Sequence, residues 1–144
     1  MSVRTGDREM EDLVRATCLD LLRTGQLGRL AFTQGALPAV HPVAYAVVGD
    51  EVVIPTRRGG KVAAANRHAV VAFEVDEIDV VARTGWNVTV VGPSRVVEDP
   101  REVEILDRTG IAPWVPDRDA HCYVAIQAVL VQGRRLLRPP GADG

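Results

Sequence analysis

Apolar residues at helical spacing mark the first element of the chain. In residues 9–24, EMEDLVRATCLDLLRT, one helical face would carry Leu13, Ala16, Leu19 and Leu22. This repeat is typical of an amphipathic helix that covers a sheet. We predict a helix over 9–24 that stops before Gly25, because glycine often terminates helices.

From residue 27 onward the pattern changes to strands separated by turns. The apolar or alternating runs span 27–33, 37–48, 51–56, 69–78, 87–99 and 121–137. The turns QGA and Gly49-Asp50 have the spacing of an antiparallel meander. Because proline cannot donate to a ladder, Pro38 and Pro42 place the 37–48 strand at an edge or a bulge. Gly92-Pro93 predicts a bulge or bend in the 87–99 strand.

Two further helices are predicted, over about 60–67 and 100–110, the second with proline in its first turn and glycine at its end. The pattern thus contains six or seven mostly antiparallel strands, in a mainly β (α+β) protein. Glycines and prolines that bend strands favour a small closed or partly closed barrel. We predict a flexible N-terminus at 1–8, a single domain at 9–137 and a disordered tail at 138–144.

Composition and charge narrow the classes of function. The chain has 144 residues and a formal net charge of −2, without the broad basic surface of a general nucleic-acid binder. No apolar run reaches the ~20 residues that span a bilayer, and the N-terminus lacks a signal-peptide core. We therefore expect a cytoplasmic protein without nucleic-acid or membrane partners. No metal-site spacing links the cysteines and histidines, which are Cys18, Cys122, His41, His68 and His121.

The segment TRRGGKVAAANR, residues 56–67, has the features of an anion site. It combines two arginines, adjacent glycines and the only lysine of the chain, between a predicted strand and a predicted helix. Gly59 and Gly60 allow backbone amides to turn toward a ligand, and Lys61 falls in the first helical turn, which favours anions. The alternative is a solvated basic turn. Neither a Walker motif nor GxGxxG is present.

Four stretches together carry a resemblance to a known family. They are GRLAFTQGALPAVHPVAYAVVGDEVVIPTRRGGKVAAA, AVVAFEVDEID, RTGWNVTVVGPSRVVEDP and APWVPDRDAHCYVAI. In order and spacing, over about residues 9–136, they resemble the pyridoxamine 5′-phosphate oxidase-like FMN-binding proteins, especially the compact actinobacterial type related to nitroimidazole-resistance proteins. The resemblance implies a six-stranded antiparallel split β-barrel with a few short flanking helices. It also implies a homodimer with cofactor sites at the interface.

The same resemblance implies which residues contact FMN. They are Thr56, Arg57 or Arg58, Gly60 and Lys61 at the phosphate; Pro42, Val43 and Tyr45 beside the isoalloxazine and ribityl chain, partly through backbone groups; and Trp86, Asn87 and the partner's Trp114 at the border of the site. Two positions depart from the family pattern. Ala44 stands where relatives often have Asn, and Gly60 stands where they often have Ser. Losing the serine hydroxyl removes one hydrogen bond, worth about 1 kcal/mol.

The resulting functional hypothesis is an FMN-dependent oxidoreductase. It would move electrons or hydride from a reduced nicotinamide to a small-molecule acceptor, with no side chain assigned as catalytic. A non-catalytic carrier or sensor of FMN, F420 or haem is the alternative. A scaffold that has lost its site, with Ala44 and Gly60 as the marks of that loss, is a third hypothesis.

Other polar and aromatic residues have a structural explanation as an alternative to a functional role. Glu74 and Asp76 in EVDEID share one strand face, where a solvated, charged strand edge is favoured over a cation site. His41 could reach the cofactor as a proton donor. Tyr45 shares its strand face with Val43 and Val47 and could simply pack, as could either tryptophan.

Overall fold

The computed structural model describes residues 2–5, 8–111 and 121–137, with side chains from residue 10 onward. Trp114 and the tail at 138–144 therefore lie outside the described residues. The elements are β1 Ser2–Thr5, β2 Arg8–Asp12, α1 Arg15–Thr24, β3 Leu27–Gln34, β4 Leu37–Ala44, β5 Ala46–Val48, β6 Glu51–Arg57, α2 Lys61–Ala65, β7 Val70–Asp79, β8 Thr84–Val97, α3 Pro100–Asp107, β9 His121–Gln127 and β10 Leu130–Leu136. Among these, no helix has the length and apolar character needed to cross a membrane.

The strands form the predicted antiparallel split barrel. One sheet has the order β1-β2-β10-β8-β7-β3-β4, and a second joins β5, β6, β9 and the far end of β8. The split lies at Tyr45, since β4 pairs with β3 whereas β5, one residue further on, pairs with β6. In the described pairings β4 is an edge strand, as Pro38 and Pro42 predicted.

The boundaries of three predicted elements were wrong. Residues 8–12 pair with β1 and β10 instead of beginning the helix, which starts at Arg15. Met10 lies opposite Leu136 in that pairing, so a contact distant in sequence overrides the local helical pattern. No element was predicted before residue 9, yet β1 occupies residues 2–5. The predicted strands 37–48 and 121–137 are each divided in two, at Tyr45 and at residues 128–129.

Alternation along the strands separates an inner face from an outer one. The inner side chains form the main core together with Cys18 and Leu22 of α1. On the outer face of β6 and β9, a second cluster packs beneath α3 through Val103 and Leu106. Asp99 caps α3 by accepting a hydrogen bond from the Arg101 amide at 2.9 Å, and Pro100 occupies its first turn as predicted.

Gly92 is the point where β8 passes from one sheet to the other. Val91 pairs with Leu130 of β10, whereas Ser94 pairs with Ile126 of β9. A Cβ at residue 92 would lie 1.8 Å from the carbonyl oxygen of Gln127. Only glycine fits this close approach. The bend predicted from Gly92-Pro93 is confirmed.

Candidate cofactor-binding site

The segment that joins β6 to α2 forms a tight turn. The Gly60 amide donates to the Arg57 carbonyl at 3.1 Å, and Gly59 has φ +71° in the left-handed region. This conformation explains Gly59, because other residues are strained there. It also corrects one expectation: the Gly60 amide is used inside the turn and does not face a ligand.

Three exposed cationic side chains surround this turn, from Arg57, Arg58 and Lys61. Arg58 Nη2 donates to the carbonyl of Glu98 at 3.3 Å, which draws this guanidinium toward the end of β8. Lys61 is the first residue of α2, where backbone N–H groups have no acceptor within the helix. The turn therefore offers ammonium, guanidinium and first-turn amide donors.

The β6–β9 register separates Thr56 from Arg57. Thr56 lies opposite Cys122, on the face whose neighbouring positions line the main core, and Arg57 lies opposite His121, on the outer face. Partners in such a pair project their side chains on the same side of the sheet. Arg57 is thus the outward arginine of the strand, whereas Arg58 belongs to the turn.

The split brings β4 close to the turn. In the β5–β6 register Ala46 lies opposite Val53, and the same register extended along the chain would set Val43 opposite Thr56 and Pro42 opposite Arg57. Strands β4 and β6 contact each other but do not pair. The split therefore has an unpaired edge of β4 on one side and the cationic turn at its end.

The side chain of Tyr45 packs inside the barrel, as in the alternative that its strand face left open. Its side chain is buried in the main core, packs edge-on against Phe73 at 4.8 Å between ring centroids, and donates its hydroxyl to the Leu22 carbonyl of α1. Burial raises the pKa of Tyr45 to about 12. Its backbone, rather than its side chain, can therefore line a site at the split. Val43 and Val47 share its inner face, as their alternation indicated.

Ala44 faces outward at the split. It borders a depression of about 330 Å³ that is also lined by Gln26, Tyr45, Ala46, Thr109, Gly110 and Ile111. His41, in contrast, packs its ring edge-on against Phe32 at 5.1 Å between centroids. This packing against Phe32 accounts for the position of the His41 side chain.

Trp86 and Asn87 lie near the start of β8, whereas Glu98, which accepts from Arg58 of the turn, follows the end of that strand. The two side chains also point to opposite faces of the sheet, since Trp86 packs against the main core and Asn87 lines an outer depression of about 390 Å³.

Asp107, His121 and Tyr123 form a polar cluster beside Arg57. Asp107 Oδ1 lies 2.6 Å from His121 Nε2 and accepts from the Tyr123 hydroxyl at 2.7 Å. Partial burial opposes ionisation of this carboxyl, but the hydrogen bonds from His121 and Tyr123 outweigh it and hold the pKa of Asp107 below its ordinary value. No spacing in the sequence pointed to this cluster, because it links α3 to a strand that follows residues 112–120.

Glu74 and Asp76 do share one face. Strand β7 pairs with β8 over residues 70–79 but with β3 only at residues 72–74, so Glu74 lies between two strands whereas residues 77–79 are exposed. Arg29 Nη1 contacts Glu74 at 3.3 Å and Asp76 at 3.1 Å. Burial and the neighbouring Asp76 raise the pKa of Glu74 to about 7, despite the opposing effect of Arg29.

Comparison with known proteins agrees with this architecture. The chain is 38% identical over 135 residues to the uncharacterized protein Rv0080 of Mycobacterium tuberculosis, covering 90% of this chain and 88% of that one. The structure of an FAD-binding protein from Mycobacterium smegmatis superposes with a TM-score of 0.73 at 30% identity, covering 87% of this chain and 98% of that one. A conserved protein of unknown function from Corynebacterium diphtheriae, DIP1874, gives 0.74 at 27% identity, with 89% and 98% covered.

The family model for pyridoxamine 5′-phosphate oxidase matches residues 14–135, a range that runs from just before α1 into β10. The split barrel, the turn between β6 and α2, and the Gly92 crossing all fall within it. The chain belongs to the pyridoxamine 5′-phosphate oxidase family.

Proposed function

We propose that the protein binds FMN and acts as an FMN-dependent oxidoreductase that passes electrons or hydride from a reduced nicotinamide to a small acceptor. The observation that carries the proposal is the cationic turn at the split, with Arg57, Arg58 and Lys61 exposed around Gly59-Gly60. The similarity to the FAD-binding protein of M. smegmatis supports a flavin.

The residues present fit a flavin phosphate. An ammonium and two guanidinium groups provide point-charge and bidentate contacts to phosphate oxygens. The position of a Cβ on Gly59 is open, with nothing within 4 Å, so that side of the turn is accessible. Because Gly60 has no hydroxyl and its amide is engaged, the donor set here depends on Lys61 more than in relatives that have serine.

The proposal includes a homodimer. The cationic turn adjoins the end of β8, whereas Trp86 and Asn87 lie near its start and point to opposite faces of the sheet. We infer that these two sets of residues reach one cofactor from different subunits. A twofold partner would bring its own Trp86 and Asn87 to the turn of the first subunit, and each interface would repeat the site.

Within that site the chain's own residues bind and orient. Lys61 and the arginines hold the phosphate, the unpaired edge of β4 at Pro42 and Val43 offers backbone groups to the ring system, and Tyr45 fixes that edge from inside the barrel. A bound flavin supplies the hydride and electron transfer. We assign no side chain as a proton donor.

The first experiment is a titration of the purified protein with FMN, FAD, F420 and haem. Flavin fluorescence and the visible spectrum report binding. We expect FMN to bind more tightly than riboflavin, because only FMN carries the phosphate that the turn recognises. FAD binding of equal strength would favour the cofactor of the M. smegmatis relative instead.

The second experiment separates an enzyme from a carrier. The FMN complex is mixed with NADH or NADPH without oxygen, and the loss of flavin absorbance is followed. Reduction within seconds supports the oxidoreductase. A protein that binds FMN but is not reduced by either nucleotide would be a carrier or sensor, and a protein that binds none of the four cofactors would contradict the whole proposal.

A further inference from the structure

A histidine that is held by a carboxylate lies beside the cationic turn. His121 is the cross-strand partner of Arg57, and its Nε2 lies 2.6 Å from Asp107 Oδ1 at the end of α3. The Cβ atoms of cross-strand partners are about 4.5–5.5 Å apart on one face of the sheet. The imidazole and the guanidinium are therefore direct neighbours on the outer face.

Two contacts fix the imidazole ring of His121. Asp107 holds one ring nitrogen, and the ring of Tyr123 packs edge-on against the imidazole at 5.7 Å between centroids. Tyr123 also donates its hydroxyl to the same Asp107 oxygen at 2.7 Å. The His121 side chain is still 25% exposed, and the described residues give its Nδ1 no hydrogen-bond partner. One edge of the ring is thus anchored, and the other carries a nitrogen that a ligand can contact.

The protonation of this second nitrogen decides whether it attracts or repels an anion. In neutral His121 the Nε2 proton is donated to Asp107 and Nδ1 is an acceptor, whereas in the imidazolium Nδ1 also carries a proton and donates. Unperturbed histidine changes between the two forms at about pH 6.5. Because an imidazolium and a guanidinium repel each other, an anion bound between His121 and Arg57 is stabilised by both.

The other groups that face His121 do not change charge near neutral pH. Arg57, from β6, is an arginine and stays protonated. Partial burial opposes the ionisation of Asp107, from α3, but the hydrogen bonds from His121 and Tyr123 hold its pKa below its ordinary value. Burial and the neighbouring Asp107 raise the pKa of Tyr123, so this phenol stays neutral. At the end of β8, Asp99 is engaged as the cap of α3.

We propose that His121, positioned by Asp107, is a further phosphate-binding residue of the cofactor site, next to the cationic turn. The inference rests on the proposed function and deepens it. As an imidazolium, His121 donates from Nδ1 to a phosphate oxygen, and Asp107 holds the ring in the orientation that this contact needs. The added affinity for a phosphorylated flavin is present at pH 6 and is lost toward pH 8, as Nδ1 gives up its proton.

The test compares the affinities for FMN and riboflavin at pH 6 and pH 8, measured by flavin fluorescence. His121→Gln removes the charge and His121→Lys makes it permanent. The matched control is His68→Gln, at an exposed histidine outside this cluster. Because the FMN phosphate itself titrates near pH 6, each variant is compared with wild type at the same pH. Circular dichroism confirms folding.

We expect His121→Gln to weaken FMN binding about tenfold at pH 6 but less than twofold at pH 8, with riboflavin binding unchanged at both. His121→Lys should match wild type at pH 6 and bind FMN more tightly than wild type at pH 8. Asp107→Asn should weaken FMN binding at pH 6, and it should add nothing to the effect of His121→Gln, because it acts through that ring. His68→Gln should behave as wild type.

A wild type that binds FMN, and in which His121→Gln has the same effect at both pH values or on both ligands, would overturn the inference and leave the proposed function standing. A wild type that binds no FMN would reject the proposed cofactor, and inorganic phosphate then tests His121 alone. The ring signals of His121 in proton NMR are assigned by their loss in His121→Gln. Phosphate should shift them at pH 6 but not at pH 8, and the absence of a shift at pH 6 would overturn the inference.

Discussion

Arg57 of β6 and His121 of β9 are cross-strand partners, and His121 is in turn held by Asp107 at the end of α3. The cationic turn is therefore attached to α3 through a polar cluster rather than only through its own strand. Because the hydrogen bonds from His121 and Tyr123 lower the pKa of Asp107, this carboxylate contributes stability above its unfolded pKa of about 3.8.

That contribution should be lost as the pH falls below about 4, through the lowered pKa of the folded state. We expect Asp107→Asn to destabilise the protein at pH 7 by about 1 kcal/mol and to flatten the dependence of unfolding free energy on pH between 2 and 5. Urea unfolding at a series of pH values measures both. Glu104→Gln, one turn earlier on the exposed side of α3, is the control. Equal pH slopes in wild type and Asp107→Asn would contradict the assigned ionisation.

Lys61→Ala should weaken FMN binding 10- to 100-fold, the loss expected for one charge-assisted hydrogen bond of about 1.5–3 kcal/mol. Riboflavin affinity should change less than twofold, because riboflavin lacks the phosphate. Fluorescence titration with both ligands measures the ratio. Arg67→Ala is a matched control, since Arg67 is an exposed cation near the same helix but is paired with Glu98 at 2.9 Å. An equal loss for FMN and riboflavin would reject the role of Lys61.

Tyr45→Phe should lower the free energy of unfolding by about 1 kcal/mol through the lost hydrogen bond to Leu22. Flavin affinity should not change, because the phenol lies inside the barrel. A Cβ at Gly25 would lie 2.3 Å from the Tyr45 hydroxyl oxygen, so Gly25→Ala should cost less when combined with Tyr45→Phe than in wild type. Chemical denaturation of the four proteins in this cycle gives the coupling. A large loss of flavin affinity in Tyr45→Phe would instead indicate that the phenol contacts the flavin.

The turn between β3 and β4 contains a strained residue. Gly35 and Ala36 both have positive φ, 56° and 63°, as in a two-residue type I′ hairpin turn. Ala36→Gly should stabilise the protein by about 0.5–1 kcal/mol, because relief of the left-handed strain exceeds the entropy that glycine loses. The reverse change, Gly35→Ala, should destabilise it. Thermal unfolding at one pH tests the pair, and a lower melting temperature for Ala36→Gly would contradict this interpretation of the turn.

Local signals in the sequence predicted the parts of the fold that depend on local physics. The β4 edge followed from Pro38 and Pro42, the bend in β8 from Gly92, and the shared face of Glu74 and Asp76 from alternation. The basic turn at 56–67 also followed from its own residues, and the resemblance added the split barrel. The hydrophobic period and the turn residues determine which face of a strand a side chain occupies. They do not determine which residue of another element it contacts.

The features that the local pattern missed depend on contacts between distant residues. Met10 lies in a strand because that strand pairs with β10 at Leu136. Arg29 contacts Glu74 and Asp76, which are 45 and 47 positions away in the sequence. The Tyr45 hydroxyl donates to a carbonyl of α1. Asp107 contacts His121 because α3 packs on the sheet. No single predicted helix or strand contains both members of any such pair, so the local pattern assigned each residue from its neighbours alone.

The crossing at Gly92 also determines how the barrel opens. Because β8 supplies pairing partners to β7, β9 and β10, neither sheet can separate from the other while β8 keeps its ladders. Amide hydrogens at the centre of β8 should then exchange only through global unfolding, and those of β1, paired on one side at the end of the sheet, through local fraying. Two sheets that share one strand thus behave as a single cooperative unit.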